Sequence, residues 1–346
     1  MADVTKESII EDISTLLSEE DPQARVQMIS DLKAALQKEL LRTHIDVPDM
    51  VCPDCGCKEC IRYGKTKAGT QRWKCSECGS VRCHRETGGI LFYTKLSEST
   101  WMDFATCFVD RLTCDEVAAR LGVCHKTAWF MRLRTMQAVF PNLPSFQAKA
   151  GNGVEVDEIY FRESFKGTRF EGMEHRPREP RQDGPCSKSG ISNEQICVLT
   201  AFNDAGDFFF DVCCRGPLST EVGMRSLESR ICEGAIVNTD ENKAYPKVMA
   251  ELKVAVHTAT NSRDHSSLGR INEIHGDVRT FFSRFKGVST RWLHLYFGWY
   301  KWLREFRNCS GTAVKQIVSG DYVNRWRSLK TLGSPFRDAF MNQVKC

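Results

Sequence analysis

The chain has 346 residues, 41% hydrophobic and 27% charged, with a formal net charge of +4. These are the proportions of a soluble protein with room for two or three domains, each able to bury a core. No window approaches the roughly 18 uninterrupted apolar residues of a membrane span, so no membrane partner is expected, and so mild a net charge leaves any nucleic-acid contact to local patches.

The opening residues, MADVTKESIIEDIS, carry acids and lack a basic n-region, so no secretory signal is expected. The 17 cysteines then belong to a reducing, intracellular compartment: the nucleus in a eukaryote, the cytoplasm or nucleoid in a bacterium. Clustered thiols there are metal ligands rather than disulfides. Residues 1–48 read as an N-terminal helical segment. Ile9, Ile10, Ile13, Leu16 and Leu17 form one amphipathic stripe, and Val26, Ile29, Leu32, Leu36 and Leu40 a second, with Pro22 opening the second helix. Such a pair either docks or dimerises, or closes on its own core.

Residues 49–90 hold seven cysteines, from Cys52 to Cys83. Cys52-Pro-Asp-Cys55 and Cys75-Ser-Glu-Cys78 are two CxxC knuckles with 19 residues between them, each followed by a glycine, Gly56 or Gly79, for the tight turn around an ion. Four thiolates delivered in two pairs match tetrahedral Zn²⁺, so a structural zinc ribbon is expected, with Cys57, Cys60 and Cys83 as spares. Residues 62–65 and 71–74 read as its strands. Their Arg62, Lys65, Arg72 and Lys74, interleaved with Tyr63 and Trp73, suit a phosphate backbone.

Residues 95–143 are helical. Trp101, Phe104, Ala105 and Phe108 recur at helical spacing as core. LTCDEVAARLGVCHKTAWFMRLRTMQ then gives a helix over 114–121, a turn on Gly122 and a second helix from about Cys124. This is a helix-turn-helix layout, whose second helix offers His125, Lys126, Thr127, Arg132 and Arg134 to a DNA groove.

Past a Pro- and Gly-containing boundary, LPSFQAKAGNG, the character changes over 150–310, and 311–346 form a tail. GNGVEVDEIYF is a turn and then a largely buried strand carrying Asp157 and Glu158. A carboxylate there is costly unless solvent at an edge or a metal ion neutralises it. Alternation sends Glu158 to the face opposite Asp157 and gives it a structural part. Residues 162–190 are polar and aperiodic, an exposed loop. A hairpin over 195–202 and 207–214 follows, then a helix over 219–231 capped by Ser219 or Thr220, and a short buried strand over 234–240 that ends in Asp240. Three antiparallel strands, a crossover helix and a parallel strand are the ribonuclease-H-like order, which sets the first and fourth strands side by side and Asp157 within reach of Asp240. Such acids repel unless cations sit between them, and paired Mg²⁺ or Mn²⁺ ions would polarise both oxygens of a phosphodiester exchange. A helix about thirty residues on, GRINEIHGDVR, is expected to supply a third ligand. Its Ile271, Ile274 and Val278 form an apolar side; Glu273 is the natural ligand chemically, while Asn272, His275 and Arg279 share one face.

Taken together, the ribbon, the helix-turn-helix, VDEIYF, VNTDENKAYP and NEIHGDVRTFFSRFKGVSTRWLHLYFGWYKWL resemble the insertion-sequence transposases with a zinc ribbon and a DDE/N catalytic domain. This is the ISXO-like group, kin to the eukaryotic Merlin transposons. The resemblance spans roughly residues 50–306. It implies Asp157 and Asp240 as catalytic aspartates, Asn272 as the third member in Asn-type relatives, and Arg279 where a basic residue contacts DNA. The acid of Glu-type relatives falls where His275 stands, a departure in this chain. The fold so implied is multidomain: an N-terminal helical segment, a zinc ribbon, a helix-turn-helix and an α/β ribonuclease-H-like domain. The activity implied is that of a DNA transposase, a dimer or larger assembly, which binds double-stranded DNA at terminal inverted repeats, cleaves the ends with Mg²⁺ or Mn²⁺ and joins them to target DNA. The non-acidic Asn272 and His275 sustain a second expectation, a host-recruited DNA-binding protein with this fold and no chemistry. A nuclease acting on RNA or repair intermediates is a third.

Overall fold

The computed structural model of the chain describes residues 13–16, 18, 21–29, 31–32, 51–52, 54–66, 71–83, 90, 94–164, 186, 190–261, 268–285, 287–306 and 317. Residues 22–29 are helical, and the Asp21 carboxylate accepts the backbone N–H groups of Gln23 and Ala24 at 2.8 and 3.1 Å. That cap satisfies donors the first turn cannot pair, and Pro22 has none to offer. Val26 and Ile29 of the expected second stripe are exposed, as is Leu16 of the first. The rest of the helical pair, most of the loop over 162–190 and the tail apart from Ile317 lie outside the described residues. Among those described, no helix is long and apolar enough to cross a membrane.

The described residues fall into two compact units. The first holds a three-stranded antiparallel sheet, β1 (Cys60–Lys65), β2 (Gln71–Cys75) and β3 (Val81–Cys83), in that order, and the start of α1 (Glu98–Val109) up to Thr106. The third strand is an addition to the two read from sequence; it pairs Val81 with Lys74 and Cys83 with Arg72.

The second unit begins with the last residues of α1, from Cys107, followed by α2 (Cys114–Leu121) and α3 (His125–Val139). Thr113 starts α2 with a capping box: its side chain accepts the Glu116 N–H, and the Glu116 carboxylate accepts the Thr113 N–H. Gly122 ends α2 at φ 64° and ψ 29°, a left-handed cap that glycine adopts without strain. Then come β4 (Gly153–Arg162), β5 (Gln195–Asn203), β6 (Phe208–Arg215), α4 (Thr220–Leu227), β7 (Ile236–Asp240), α5 (Tyr245–Glu251), β8 (Val256–Thr260), α6 (Gly269–Ser283) and α7 (Leu293–Glu305). The five strands are ordered β6-β5-β4-β7-β8, with β4, β5 and β6 mutually antiparallel and β7 and β8 parallel to β4. The expected adjacency of the first and fourth strands is therefore present, and β8 extends the sheet by one.

Both faces of the sheet are covered. Val154 and Val156 of β4 pack with Leu199, Val237, Tyr245 and Val248 in one core, under α4 and α5. On the other face Phe161 meets Phe282 of α6 and Phe210 meets Phe297 of α7, with ring centroids 4.8 and 4.6 Å apart. Each such buried side chain contributes about 1.5–3 kcal/mol. A central strand buried on both faces should be apolar throughout. Two adjacent acids in β4 therefore need a physical reason.

Candidate metal centres and nucleic-acid surfaces

In the first unit, one sulfur from each of Cys52, Cys55, Cys75 and Cys78 lies within 4.8 Å of the others. The Cys52–Cys78 and Cys55–Cys75 sulfurs are 3.5 and 3.6 Å apart. Tetrahedral Zn²⁺ with bonds of about 2.3 Å spaces its sulfurs by roughly 3.8 Å, whereas a disulfide needs about 2.05 Å. The four thiols thus have the spacing of a zinc tetrahedron. Each knuckle turns through a glycine with positive φ, 75° at Gly56 and 70° at Gly79, and returns an N–H to the first cysteine's carbonyl. Asp54 in the first knuckle accepts hydrogen bonds from Ser80 and Arg82 behind the second. The backbone N–H of Cys78 holds the Cys75 thiol below the usual thiol range, which favours the thiolate that a metal ion binds. Cys57, one of the spares, instead accepts the Glu59 N–H.

In the second unit, Asp157, Glu158 and Asp240 each bring a carboxylate oxygen within 4.8 Å of the other two. The register explains how. β7 pairs with β4 from Gly153↔Ile236 to Val156↔Thr239 and then ends at Asp240, while β4 runs on to Arg162. Past Val156 the β7 side of β4 is open. Asp157 on one face and Glu158 on the other can both turn around that edge toward Asp240. Alternation does put the two acids on opposite faces, yet Glu158 is not the purely structural residue expected; its carboxylate belongs to the cluster. The available signal was the length mismatch between a long first strand and a short fourth one.

The cluster is held by its neighbours. Asp157 accepts the Glu158 N–H at 2.8 Å, Asp240 accepts the Asn242 N–H at 3.0 Å, and the Asn242 side-chain amide donates to Glu158 at 3.1 Å. Two charges within 4.8 Å repel by about 3 kcal/mol or more at an effective dielectric of about 20. Accordingly, burial and then Asp240 push Asp157 up to about 6, against the pull of the Glu158 N–H and Arg279. Burial, Asp240 and Asp157 push Glu158 up to about 8. Three oxygen donors that resist ionising together are a hard-cation site by chemistry, since Mg²⁺ or Mn²⁺ offsets the repulsion.

α6 is set against the cluster by a residue that the sequence reading passed over. Glu155, buried in β4, accepts from the Arg270 guanidinium at 2.7 Å and from the Ile271 N–H at 2.9 Å, at the first turn of α6. Arg270 also reaches Asp204 at 2.9 Å. With its start so fixed, α6 buries Ile271, Ile274, His275 and Val278. His275 places Nε2 3.0 Å from Thr200 Oγ1 and Nδ1 3.6 Å from Asp157 Oδ2. Burial and Arg279 push it down to about 4, so the ring is neutral at physiological pH and no ion pair with Asp157 forms. Neither His275 nor Glu273 joins the acid cluster, and Asn272 and Arg279 are exposed on α6.

The expected DNA-facing residues divide. Arg62 and Lys65 are exposed on β1, and Arg72 and Lys74 half-buried on β2. Arg72 and Lys74 lie over Tyr63 at 5.5 and 5.4 Å, and Arg62 over Trp73 at 5.8 Å. Since Trp73 alternates with Arg72 and Lys74, the ribbon's cations are split between two faces. His125 and Lys126 are exposed at the start of α3. Arg132 requires correction, together with Arg134: both are buried. The Arg132 guanidinium donates to the Leu112 carbonyl and stacks over Phe285 and Trp299 at 5.1 and 5.4 Å, so it is not offered to a groove.

No protein-family model matches the chain, and no curated protein is similar to it. Among solved structures, the chain is similar to a pre-cleavage Mos1 transpososome at 9% identity, covering 64% of this chain and 79% of that one, with a TM-score of 0.22. Against the Mos1 strand transfer complex the values are 11%, 64%, 79% and 0.20. Against the mariner Mos1 paired-end complex with Mg they are 11%, 62%, 76% and 0.21. Such superpositions are loose, and the two centres stand on their own distances.

Proposed function

We propose that the chain is a DNA transposase, a metal-dependent phosphoryl-transfer enzyme whose working acids are Asp157, Glu158 and Asp240. The observation that carries this reading is the meeting of three carboxylates from neighbouring parallel strands at the point where β7 stops and β4 continues. Bound by them, Mg²⁺ or Mn²⁺ would supply charge neutralisation and polarise the reacting phosphodiester oxygens. The chain's own residues position: Asn242 holds Glu158, Glu155 fixes α6, His275 backs Asp157 as a neutral group, and Arg279 offers a cation beside Asp157 for a phosphate. In the first transfer a water oxygen attacks phosphorus and a 3′ oxygen leaves, taking a proton. In the second that 3′ hydroxyl attacks target DNA and displaces another 3′ oxygen. The ribbon and α2–α3 would bind the terminal inverted repeats, with two ends held in a dimer or larger assembly. The motifs quoted above favour the ISXO-like group within the DDE transposases.

The test is nicking of a labelled duplex carrying an inverted-repeat end by the full chain in Mg²⁺ or Mn²⁺. Asp157→Asn, Asp240→Asn and Glu158→Gln should each lower the rate about a hundredfold to a thousandfold with end binding retained. Undiminished nicking by the aspartate variants would sink the mechanism. One observation favours a second reading, a recruited DNA-binding protein without chemistry: α6 brings no carboxylate to the cluster. Its signature is end binding by the wild-type chain with no nicking in either ion.

A further inference from the structure

Between α3 and the segment joining α6 to α7 runs a groove of about 670 Å³. It is lined by two tryptophans that no metal centre uses. Trp129 of α3 is 38% exposed, and its ring stands edge-on to Trp292 with centroids 6.3 Å apart. The Arg291 guanidinium lies 4.7 Å from the centre of the Trp292 ring. Lys126 and Arg284 stand at the rim, and the floor is the buried Arg132 over Phe285. Among the lining residues, Lys126, Arg132, Arg284 and Arg291 outnumber the one carboxylate, Asp115, which His125 already engages at 2.6 Å, while Glu116, outside the lining, comes within 3.8 Å of Arg284.

A large aromatic left in water beside a second aromatic, under a predominantly basic rim, is the chemistry of a stacking platform with an electrostatic rim. The volume is that of a small-ligand cleft and too small for the width of a duplex. We infer that this groove takes an unstacked nucleotide of a DNA strand, its base against Trp129 and Trp292 and its phosphate on Lys126 and Arg291. The inference rests on the reading that the chain acts on DNA ends, since opening an end releases unpaired nucleotides. It also changes the part of α3: the flank that carries Lys126 grips a displaced strand rather than entering a major groove.

The experiment measures binding of the full chain to one duplex in two forms, blunt and with a three-nucleotide overhang carrying a fluorescent purine. Removing a stacked aromatic costs about fivefold to a hundredfold in affinity. The wild-type chain should prefer the overhang by at least about fivefold, with the purine's fluorescence quenched. Trp129→Ala should abolish both preference and quenching while leaving blunt-duplex binding unchanged. Arg291→Glu, at an exposed position, should abolish the preference without disturbing the core. Binding of both DNAs with equal affinity by the wild type overturns the groove alone. Failure to bind either DNA overturns the reading of the whole chain as a DNA-end enzyme. An unchanged preference in Trp129→Ala, with a change in sedimenting mass instead, makes the groove a protein interface and also overturns the inference.

Discussion

The two metal centres are built by opposite means. In the ribbon all four sulfurs come from two short turns, Cys52–Cys55 and Cys75–Cys78, and the local backbone makes the site: a glycine at φ 75° or 70° and an N–H returned to the ligand's own carbonyl. In the second unit the carboxylates come from β4 and β7, and nothing local to either strand predicts their meeting. Register does that work, with Glu155 and α6 behind it. A centre made of turns should therefore fail or survive as a module. One made of register should instead respond to changes in elements that never touch the ion.

The largest effect separates them at once. Cys75→Ser removes a ligand from a site whose ion stabilises small zinc modules by about 10–16 kcal/mol. The ribbon should lose its fold, shown by proteolysis within 51–83 and by newly reactive thiols, and a chelator should do the same to the wild type. An ordered ribbon in the variant would break the contrast, because the site would not be making the structure.

The acid centre should behave in reverse: without an ion it strains a fold that exists anyway. Asp157 and Glu158 are pushed up to about 6 and 8, so the folded chain holds protons that the unfolded chain releases near pH 4. Between about pH 4 and 8 the native state thus binds more protons, and metal-free stability falls as pH rises through that window, by about 3 kcal/mol for the Asp157 shift and about 5 kcal/mol for the Glu158 shift as upper bounds. Thermal unfolding should show this slope, and Mg²⁺ or Mn²⁺ should raise the midpoint more at pH 8 than at pH 5. Glu158→Gln should flatten the slope; a metal-free chain equally stable at both pH values would contradict it.

The same contrast governs what the sequence could tell. The CxxC spacing already brings Cys52, Cys55, Cys75 and Cys78 together, because its geometry is local, and the meeting of those four sulfurs was legible in the sequence. Strand order was legible too, since alternation and turn residues mark β4, β5, β6 and β7, and order alone sets Asp157 beside Asp240. Glu158 was hidden because periodicity reports the face a side chain leaves from and says nothing about where a neighbouring strand ends. Glu155 was hidden for a related reason: its partners, Arg270 and the Ile271 N–H, lie more than a hundred residues away, 115 and 116 along the chain. Arg132 misled because a basic residue on a helix reads as exposed until its packing over Phe285 and Trp299 is seen.

Glu155→Gln probes the register-built centre from outside its ligand set. It keeps the shape and removes the charge opposite Arg270, which is 41% exposed, so the loss should be near 2 kcal/mol rather than the full cost of a buried pair. Urea unfolding measures that. The sharper readout is nicking, which should fall more than stability does, because α6 carries His275 and Arg279 toward Asp157. Equal activity in folded variant and wild type would detach α6 from the site.

The smallest effect is expected at Gly79. Its φ is 70°, and a Cβ there would meet no heavy atom within 4 Å, so Gly79→Ala costs only left-handed strain, about 1 kcal/mol. The sulfur positions need not move. Zinc should still bind one ion per chain, with affinity against a competing chelator lowered less than about tenfold. Gly153 at the start of β4 makes the counterpart: a Cβ there would run into the Asp204 carboxylate, which accepts both the Gly153 N–H and Arg270. Gly153→Ala must displace a group that holds α6, so it should reach the acid centre from beyond contact distance. If Gly79→Ala abolished zinc binding while Gly153→Ala left nicking untouched, the ribbon would be the centre that depends on distant support.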